Sequence, residues 1–213
     1  MKKDIILVGA GGHCRSVIDV IEHENKFNII GVLDPNHKFL TQVLNYPILG
    51  GDDEIEKLSK TINYFCITVG QTKSASIRIN LFELIMKHGG YLPVIQSPLS
   101  HVSKHAKIEE GTIVMHNALV NANAKIGYNC IINTGSLIEH DVIVGNHCHI
   151  STKAVLNGRV NVGNESFIGS NTVVADSINI CDNTIIGAGS VVIRSNFNSG
   201  IYAGNPAQKI NVD

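Results

Sequence analysis

The chain has 213 residues, a formal net charge of −1 and no run of like charges, so its composition does not favour a nucleic-acid or anionic-membrane partner. Its five cysteines are odd in number and form no CxxC pair, which argues against a disulfide framework or zinc knuckle and favours a reducing compartment. No apolar stretch approaches the roughly 20 residues that a membrane-spanning helix needs, so we expect a cytoplasmic protein.

Strand and helix signals alternate over residues 1–96. The pattern predicts strands at KDIILVG, NIIGVLD and FCITVG, a short YPILGG segment after the second strand, and helices at SVIDVIEHE, DDEIEKLSK and SIRINLFELIMKHG. Gly89 is the expected stop of the last helix. Such alternation is typical of a small open parallel sheet, so we predict a Rossmann-like α/β domain over residues 1–96.

Three of the predicted strands end at residues that suit ligand binding. These are the loop Gly9-Ala10-Gly11-Gly12-His13, Asp34 and Gly70, and ligands of such sheets bind at the carboxyl ends of strands. A complete dinucleotide fingerprint would need glycine where Cys14 stands, so we expect phosphate binding at the helix N-terminus and no NAD. Turn formation alone is the other explanation of these glycines.

The second part of the chain is a repeat with a period of six residues. Sixteen consecutive hexads run from Val102 to Phe197, and each begins with Val, Ile or Leu. Such a period is typical of a solenoid, here a parallel β-helix over residues 97–197, followed by a tail over residues 198–213. With three hexads per coil, residues 18 apart stack about 4.8 Å from each other. Cys130 and Cys148 therefore stack, and we expect them to fill the core as thiols.

Six histidines lie in or beside the repeats, and His140 differs from the others. Glu139 and Asp141 flank it, and a neighbouring carboxylate orients an imidazole and raises its basicity. The 18-residue spacing places Ala122 on one side of His140 and Gly158 on the other, and these small residues predict a recess for substrate.

The same spacing gives Asp141 two competing roles. Arg159 stacks on Asp141, so the carboxylate either orients His140 or forms a surface ion pair with Arg159.

The hexads resemble those of left-handed β-helix acyltransferases over residues 98–213. The whole chain is also similar to a narrower group, the bacterial sugar O- and N-acetyltransferases of the sialic-acid O-acetyltransferase and UDP-4-amino-sugar N-acetyltransferase (NeuD/PglD-like) family. This resemblance rests on VGAGGH, Leu33-Asp34, the TVG loop that ends at Gly70, NTGSLIEHD and YAGNPAQ.

The resemblance implies roles for individual residues. The family histidine that matches His140 is the catalytic base, and the next residue, Asp141 here and Glu in most relatives, increases its basicity. His149 matches a histidine that contacts acetyl-CoA, and Asn133 matches a residue on the substrate side. Pro35 stands where many relatives have a second acid. Further substrate contacts are implied at Gly11, Gly12, His13, Asp34 and Gly70, and further acetyl-CoA contacts at Gly158, Ser170 and Ala188.

The implied activity is acetyl transfer from acetyl-CoA, a co-substrate, to the amino group of a nucleotide-linked 4-amino-4,6-dideoxy sugar. The resemblance also implies a left-handed coil and a homotrimer with active sites between subunits, and no metal. The resemblance does not distinguish between UDP, dTDP and GDP as the nucleotide of the acceptor sugar. The alternative within this class is O-acetylation of sialic acid or a related sugar.

A distant alternative is a zinc protein like the γ-class carbonic anhydrases. Its zinc would need three protein ligands, for which His116, His140 and His147 or His149 are the candidates. A nucleotide-sugar domain and the YAGNPAQ tail argue against this alternative.

Overall fold

The protein is described by a computed structural model that covers residues 2–36, 38–195 and 198–210. Its N-terminal part is a five-stranded sheet with the strand order β3-β4-β2-β1-β5, in which only β3 runs antiparallel to its neighbour. The strands are β1 (Lys3–Val8), β2 (Phe27–Leu33), β3 (Gln42–Val43), β4 (Tyr46–Gly50) and β5 (Tyr64–Ile67). The helices are α1 (Gly12–Glu24), α2 (Ile55–Leu58) and α3 (Ser76–Lys87), and a 3-10 turn spans Asp52–Glu54.

The central strand β1 is buried on both faces of the sheet, as its continuous apolar run predicts. Ile5 and Leu7 pack in one apolar layer together with the buried side of α1. Ile6 and Val8 pack in the opposite layer, which includes residues of α2 and α3. These two layers confirm the predicted α/β architecture.

Element boundaries differ from the predictions at two places. Helix α1 begins at Gly12, four residues before the predicted start, because the glycine loop itself forms the first helical turn after an extended Gly11. The YPILGG segment forms strand β4, which lies between β3 and β2, and the helix predicted after it is reduced to a 3-10 turn and one turn of α-helix.

The C-terminal part is a triangular coil whose sides are three sheets, named here faces A, B and C. Face A contains His101–Val102, Leu119–Val120, Leu137–Ile138, Val155–Leu156, Val173–Val174 and Val191–Val192. Face B contains Lys107–Ile108, Lys125–Ile126, Ile143–Val144, Asn161–Val162 and Asn179–Ile180. Face C contains Ile95–Gln96, Ile113–Val114, Ile131–Ile132, His149–Ile150, Phe167–Ile168, Thr184–Ile186, Gly200–Ala203 and Gln208–Ile210.

Stacking in the coil follows the predicted spacing of 18 residues. Ile138 pairs in parallel register with Leu156, and the aliphatic residues that begin the hexads fill the core between the faces. Cys130 and Cys148 stack as predicted: both are buried free thiols, and the Cys148 N–H donates to Cys130 Sγ at 3.4 Å.

The chain enters the coil on face C, because Ile95–Gln96 pairs with Ile113–Val114. Residue 197, the predicted end of the coil, lies outside the described residues, as do residues 211–213 of the predicted tail. Within the described ranges, no helix has the length and apolar character that a membrane span requires.

Candidate active site

A cavity of about 380 Å³ lies at the carboxyl edge of β1, β2 and β5. Its walls include all five residues of the α/β part that the sequence predicts as substrate contacts: Gly11, Gly12, His13, Asp34 and Gly70. A methyl group added at Gly11 or Gly12 would meet no atom within 4 Å, so both positions border open space. A helix N-terminus that faces such space presents backbone N–H groups to an anion, which suits a phosphate group.

Asp34 organises the cavity wall. Its Oδ2 accepts a hydrogen bond from the Ala10 N–H and its Oδ1 accepts one from the Asn36 N–H, both at 2.8 Å. The carboxylate thus joins the glycine loop to the chain that leaves β2, and it is 8% exposed. Pro35 lies in the same wall.

Asp52 is a cavity residue that the sequence analysis missed. Its Oδ1 is buried and has no hydrogen-bond partner among the described residues. Burial, followed by the negative charge of Asp34, raises the pKa of the Asp52 carboxyl above its ordinary value. The available signal was its position just after β4, whose carboxyl end lies beside that of β2.

Arg78 of α3 lies behind the cavity, is 1% exposed and was also missed. Its Nη1 donates to the carbonyl oxygens of Ile67 and Val69, at 3.0 and 2.7 Å. Its Nη2 donates to Asn129 of the coil, at 3.1 Å to the backbone oxygen and 2.6 Å to Oδ1. Arg78 therefore fixes the strand end that precedes Gly70 against the coil.

His13 is a neutral imidazole beside this guanidinium. Burial first, and then the charge of Arg78, lower the pKa of His13 from 6.5 to about 3. Its Nε2 is buried and has no hydrogen-bond partner among the described residues. His13 lines the cavity as a residue, while its Nε2 is buried behind the cavity surface.

His149 and Asn133 meet on the coil side of the same junction. His149 Nδ1 lies 2.6 Å from the backbone oxygen of Gln71, and His149 Nε2 lies 3.0 Å from Asn133 Nδ2. A hydrogen on Nδ1 satisfies both contacts, since Nε2 then accepts from the Asn133 amide. Burial lowers the pKa of His149 from 6.5 to about 4, so this ring is neutral.

His140 lies at the corner between faces A and B. Its Nδ1 is 2.8 Å from Asp141 Oδ2, and its side chain is half exposed. Asp141 Oδ1 accepts from Asn123 Nδ2 at 2.7 Å, and the hydrogen bonds from Asn123 and His140 lower the Asp141 pKa. Because the carboxylate holds the Nδ1 hydrogen, Nε2 carries the lone pair that a base needs.

Of the two roles open to Asp141, the structure shows the contact with His140. Arg159 instead forms an ion pair with Asp176 and donates from Nε to Ser177 Oγ at 3.0 Å. The two residues 18 apart are therefore stacked but not paired.

The recess predicted beside His140 is occupied on the Gly158 side by the histidine ring itself. A Cβ at residue 158 would lie 2.7 Å from His140 Cε1 and 2.9 Å from Asp176 Oδ2. The prediction of a substrate recess at Gly158 is therefore wrong, because the space left by the missing side chain of Gly158 holds the His140 imidazole. Asp176, two coils from His140, is a further neighbour that the sequence analysis missed.

The coil residues that the sequence predicts as acetyl-CoA contacts lie at two different corners of the coil and on face C. Ser170 follows Phe167–Ile168 at the corner between faces C and A, and its hydroxyl contacts Ser151 Oγ at 2.9 Å. Ala188 lies one coil further at that same corner. Gly158 is at the corner of His140, and His149 is on face C.

One chain does not bring the cavity and His140 together. The α/β part contacts face C through His149 and the adjoining corners through Asn129 and His116. In a triangular coil the third corner, which carries His140, lies opposite face C. A site that uses both features therefore needs a second chain.

The histidines of the zinc alternative are also separated within one chain. His116, His140 and His147 lie at three different corners, and both ring nitrogens of His149 are engaged. Within the described ranges, the one set of three metal-ligating side chains close to each other is Asp19, His23 and His116.

The structural class is an α/β–β-helix protein: a Rossmann-like domain with a cavity at its strand ends is followed by a hexapeptide coil that carries a histidine–carboxylate pair. Comparison with known proteins agrees with it: residues 4–85 match the family described as the PglD N-terminal domain. No curated protein matches the sequence.

Solved structures extend the similarity to almost the whole chain. The acetyltransferase domain of PglB from Neisseria gonorrhoeae FA1090, in complex with acetyl coenzyme A, is 28% identical, with a TM-score of 0.92 over 99% of this chain and 100% of that chain. PerB from Caulobacter crescentus, in complex with CoA and GDP-perosamine, is 29% identical, with a TM-score of 0.91 over 98% of this chain and 97% of that chain.

WeeI from Acinetobacter baumannii AYE shares the fold. It is 24% identical, with a TM-score of 0.85 over 98% of this chain and 100% of that chain. These comparisons confirm the predicted resemblance to the NeuD/PglD-like sugar acetyltransferases and the predicted fold, an α/β domain followed by a left-handed parallel β-helix.

Proposed function

We propose that the protein transfers acetyl from acetyl-CoA to the amino group of a nucleotide-linked 4-amino-4,6-dideoxy sugar. The observation that carries this proposal is the His140–Asp141 pair, a base with Nδ1 held at 2.8 Å by a carboxylate on an exposed coil corner. The similar PglB and PerB structures, with acetyl-CoA and with CoA plus GDP-perosamine, support the two substrates.

The nucleotide occupies the cavity of the α/β part. Its diphosphate lies at the N-terminus of α1, against Gly11 and Gly12. Gly70 also lines the cavity and has no side chain to project into it. Asp34 shapes the loop, while neutral His13 and the raised-pKa carboxyl of Asp52 contact the polar edge of the nucleoside.

His140 acts as the general base. The sugar amine attacks the thioester carbonyl carbon, and His140 Nε2 takes a proton from the nitrogen as the C–N bond forms. The tetrahedral intermediate then expels the CoA thiolate, which receives that proton from the imidazolium. Asp141 stabilises the imidazolium, and such general-base assistance is worth roughly 10²–10⁴-fold in rate.

The coil supplies the coenzyme site along its corners. We assign the pantetheine and acetyl contacts to Gly158 of one chain and to Ser170 and Ala188 of a neighbouring chain, since these residues lie at different corners of a coil. Backbone N–H groups of the coil are the donors to the thioester oxygen. His149 and Asn133, joined by their hydrogen bond, link the coenzyme and substrate sides of the cleft.

A homotrimer completes the site, because the cavity and His140 lie on opposite sides of one coil. Mixing two inactive variants tests this assignment. His140→Ala removes the base, and Gly12→Leu places a side chain in the cavity, since Gly12 lines it and a Cβ added there meets no atom within 4 Å. Subunits mixed after mild dissociation should regain activity if base and cavity come from different chains, whereas mixtures without activity would contradict the shared site.

In this proposal, residues 1–96 bind the sugar nucleotide and residues 97–197 provide the base and the coenzyme site. The enzyme works in the cytoplasm, where acetyl-CoA and nucleotide sugars are found.

A thiol-release assay with acetyl-CoA and a panel of UDP-, dTDP- and GDP-4-amino sugars plus free sialic acid tests the acceptor class. We expect turnover with at least one 4-amino sugar. Turnover with sialic acid alone would instead identify an O-acetyltransferase.

A further inference from the structure

Two histidines and an aspartate meet where α1 packs on the coil, far from the His140 corner. Asp19 and His23 are four residues apart on α1, and His116 lies at the corner between faces C and A. One ligand atom from each of the three side chains lies within 4.8 Å of the other two. His116 Nε2 is 2.7 Å from Asp19 Oδ2, and the two imidazole rings are 5.4 Å apart.

Buried packing holds this cluster together. Ile113 and Met115, which precede His116, belong to the same apolar layer as Val17, Val20 and Ile21 of α1. The i, i+4 spacing of Asp19 and His23 places both side chains on one side of the helix. The three side chains are therefore brought together by the packing of α1 against the coil, where His116 lies in a corner turn that directly follows a packed strand.

We propose that Asp19, His23 and His116 bind a divalent transition-metal ion, with zinc as the best match to the ligand set. Two imidazoles and one carboxylate are ligands that zinc takes at about 2.0–2.2 Å, with a water in the fourth position. A tetrahedron of these dimensions separates its ligand atoms by about 3.3 Å. The ion would replace the proton between His116 Nε2 and Asp19 Oδ2, and their 2.7 Å contact would lengthen to that separation.

A second set of contacts orients the imidazoles. Ser97 Oγ lies 2.5 Å from His116 Nδ1, and once the ion has replaced the hydrogen on Nε2, this hydroxyl oxygen can accept the hydrogen that Nδ1 then carries. His23 Nδ1 lies 2.8 Å from the backbone oxygen of Asp19, which holds that ring over its own helical turn. Hydrogen-bonded partners of this kind are typical of histidines that bind metals.

The ion would join the α/β part to the coil and take no part in acetyl transfer. Asp19 and His23 are 54% and 52% exposed, so solvent ions reach the cluster, while His116 is 17% exposed. Because an ion that binds only the folded chain raises its stability, metal should increase the unfolding temperature.

Titration of the chelator-treated, untagged full-length protein with Co²⁺ tests the site. We expect one equivalent to give the intense visible absorption of four-coordinate Co²⁺, zinc to displace it, and zinc to raise the unfolding temperature. His23→Gln and Asp19→Asn, both at exposed positions, should each weaken Co²⁺ binding at least tenfold. His105→Gln, at an exposed histidine outside the cluster, is the matched control and should bind like the wild type.

Two results would overturn the proposal: no stoichiometric Co²⁺ binding, or binding that His23→Gln and Asp19→Asn leave unchanged. Circular dichroism of each variant without metal shows whether it is folded. Acetyl transfer by the chelator-treated enzyme should equal that of the zinc-loaded enzyme, so the outcome for the metal site is independent of the outcome for the proposed function.

Discussion

Mild acid should destabilise the protein through His149, a buried histidine at the domain junction. Burial lowers its pKa from 6.5 to about 4, and its ring contacts Gln71 and Asn133. The unfolded chain binds a proton at this residue below about pH 6.5, whereas the folded chain binds it only near pH 4. Stability linked to His149 is therefore present at neutral pH and falls as the pH falls through this window.

These two pKa values set the size of the effect. Between about pH 7.5 and about pH 5, the difference in proton binding costs on the order of 2 kcal/mol of unfolding free energy. His149→Asn places an amide N–H near the Nδ1 position, so the contact with Gln71 persists without a titrating group. The variant should lose about 2 kcal/mol less than the wild type over this pH range.

Urea unfolding followed by circular dichroism at both pH values, at one protein concentration, measures this difference. His101→Asn, which removes an exposed histidine of the coil, is the control and should retain the pH dependence of the wild type. If His149→Asn and the wild type lost equal stability on acidification, His149 would not be the buried neutral group that links the two parts.

Three further substitutions test other contacts. Asp141→Asn should lower kcat by about one to two orders of magnitude with little change in unfolding temperature, because it removes the charge that stabilises the imidazolium; an unchanged kcat would contradict this. Gly158→Ala should lower kcat in the same assay, since its methyl group displaces the His140 ring, and it should spare the nucleotide affinity measured by calorimetry. Arg78→Met should cost at least about 3 kcal/mol in urea unfolding, because four acceptor contacts are lost in a buried site; a smaller loss would show that water replaces them.

The repeat allowed strong predictions because it turns sequence spacing into spatial stacking. The 18-residue register, the Cys130–Cys148 stack and the position of Gly158 beside His140 all follow from it. The alternating elements of residues 1–96 likewise predicted which strand ends line a cavity, since parallel strands end at one edge.

The contacts that the sequence did not predict arise where separate elements pack against each other. Arg78 lies in a helix whose pattern predicts only amphipathic packing, and its partner Asn129 is 51 residues away. The burial of His149 follows from the docking of the Gln71 loop on face C, which no periodicity encodes. Asp176 is two coils from His140, and its partner Arg159 could be assigned only when rotamers were known.

His140 as general base is the central claim, and acetyl transfer by His140→Ala tests it most directly. The assay follows CoA thiol release with the preferred 4-amino sugar nucleotide, and calorimetry checks that acetyl-CoA still binds the variant. We predict a fall in kcat of at least about 10²-fold with an unchanged unfolding temperature, and partial rescue by added imidazole. Wild-type turnover in a folded His140→Ala variant that binds both substrates would contradict the account.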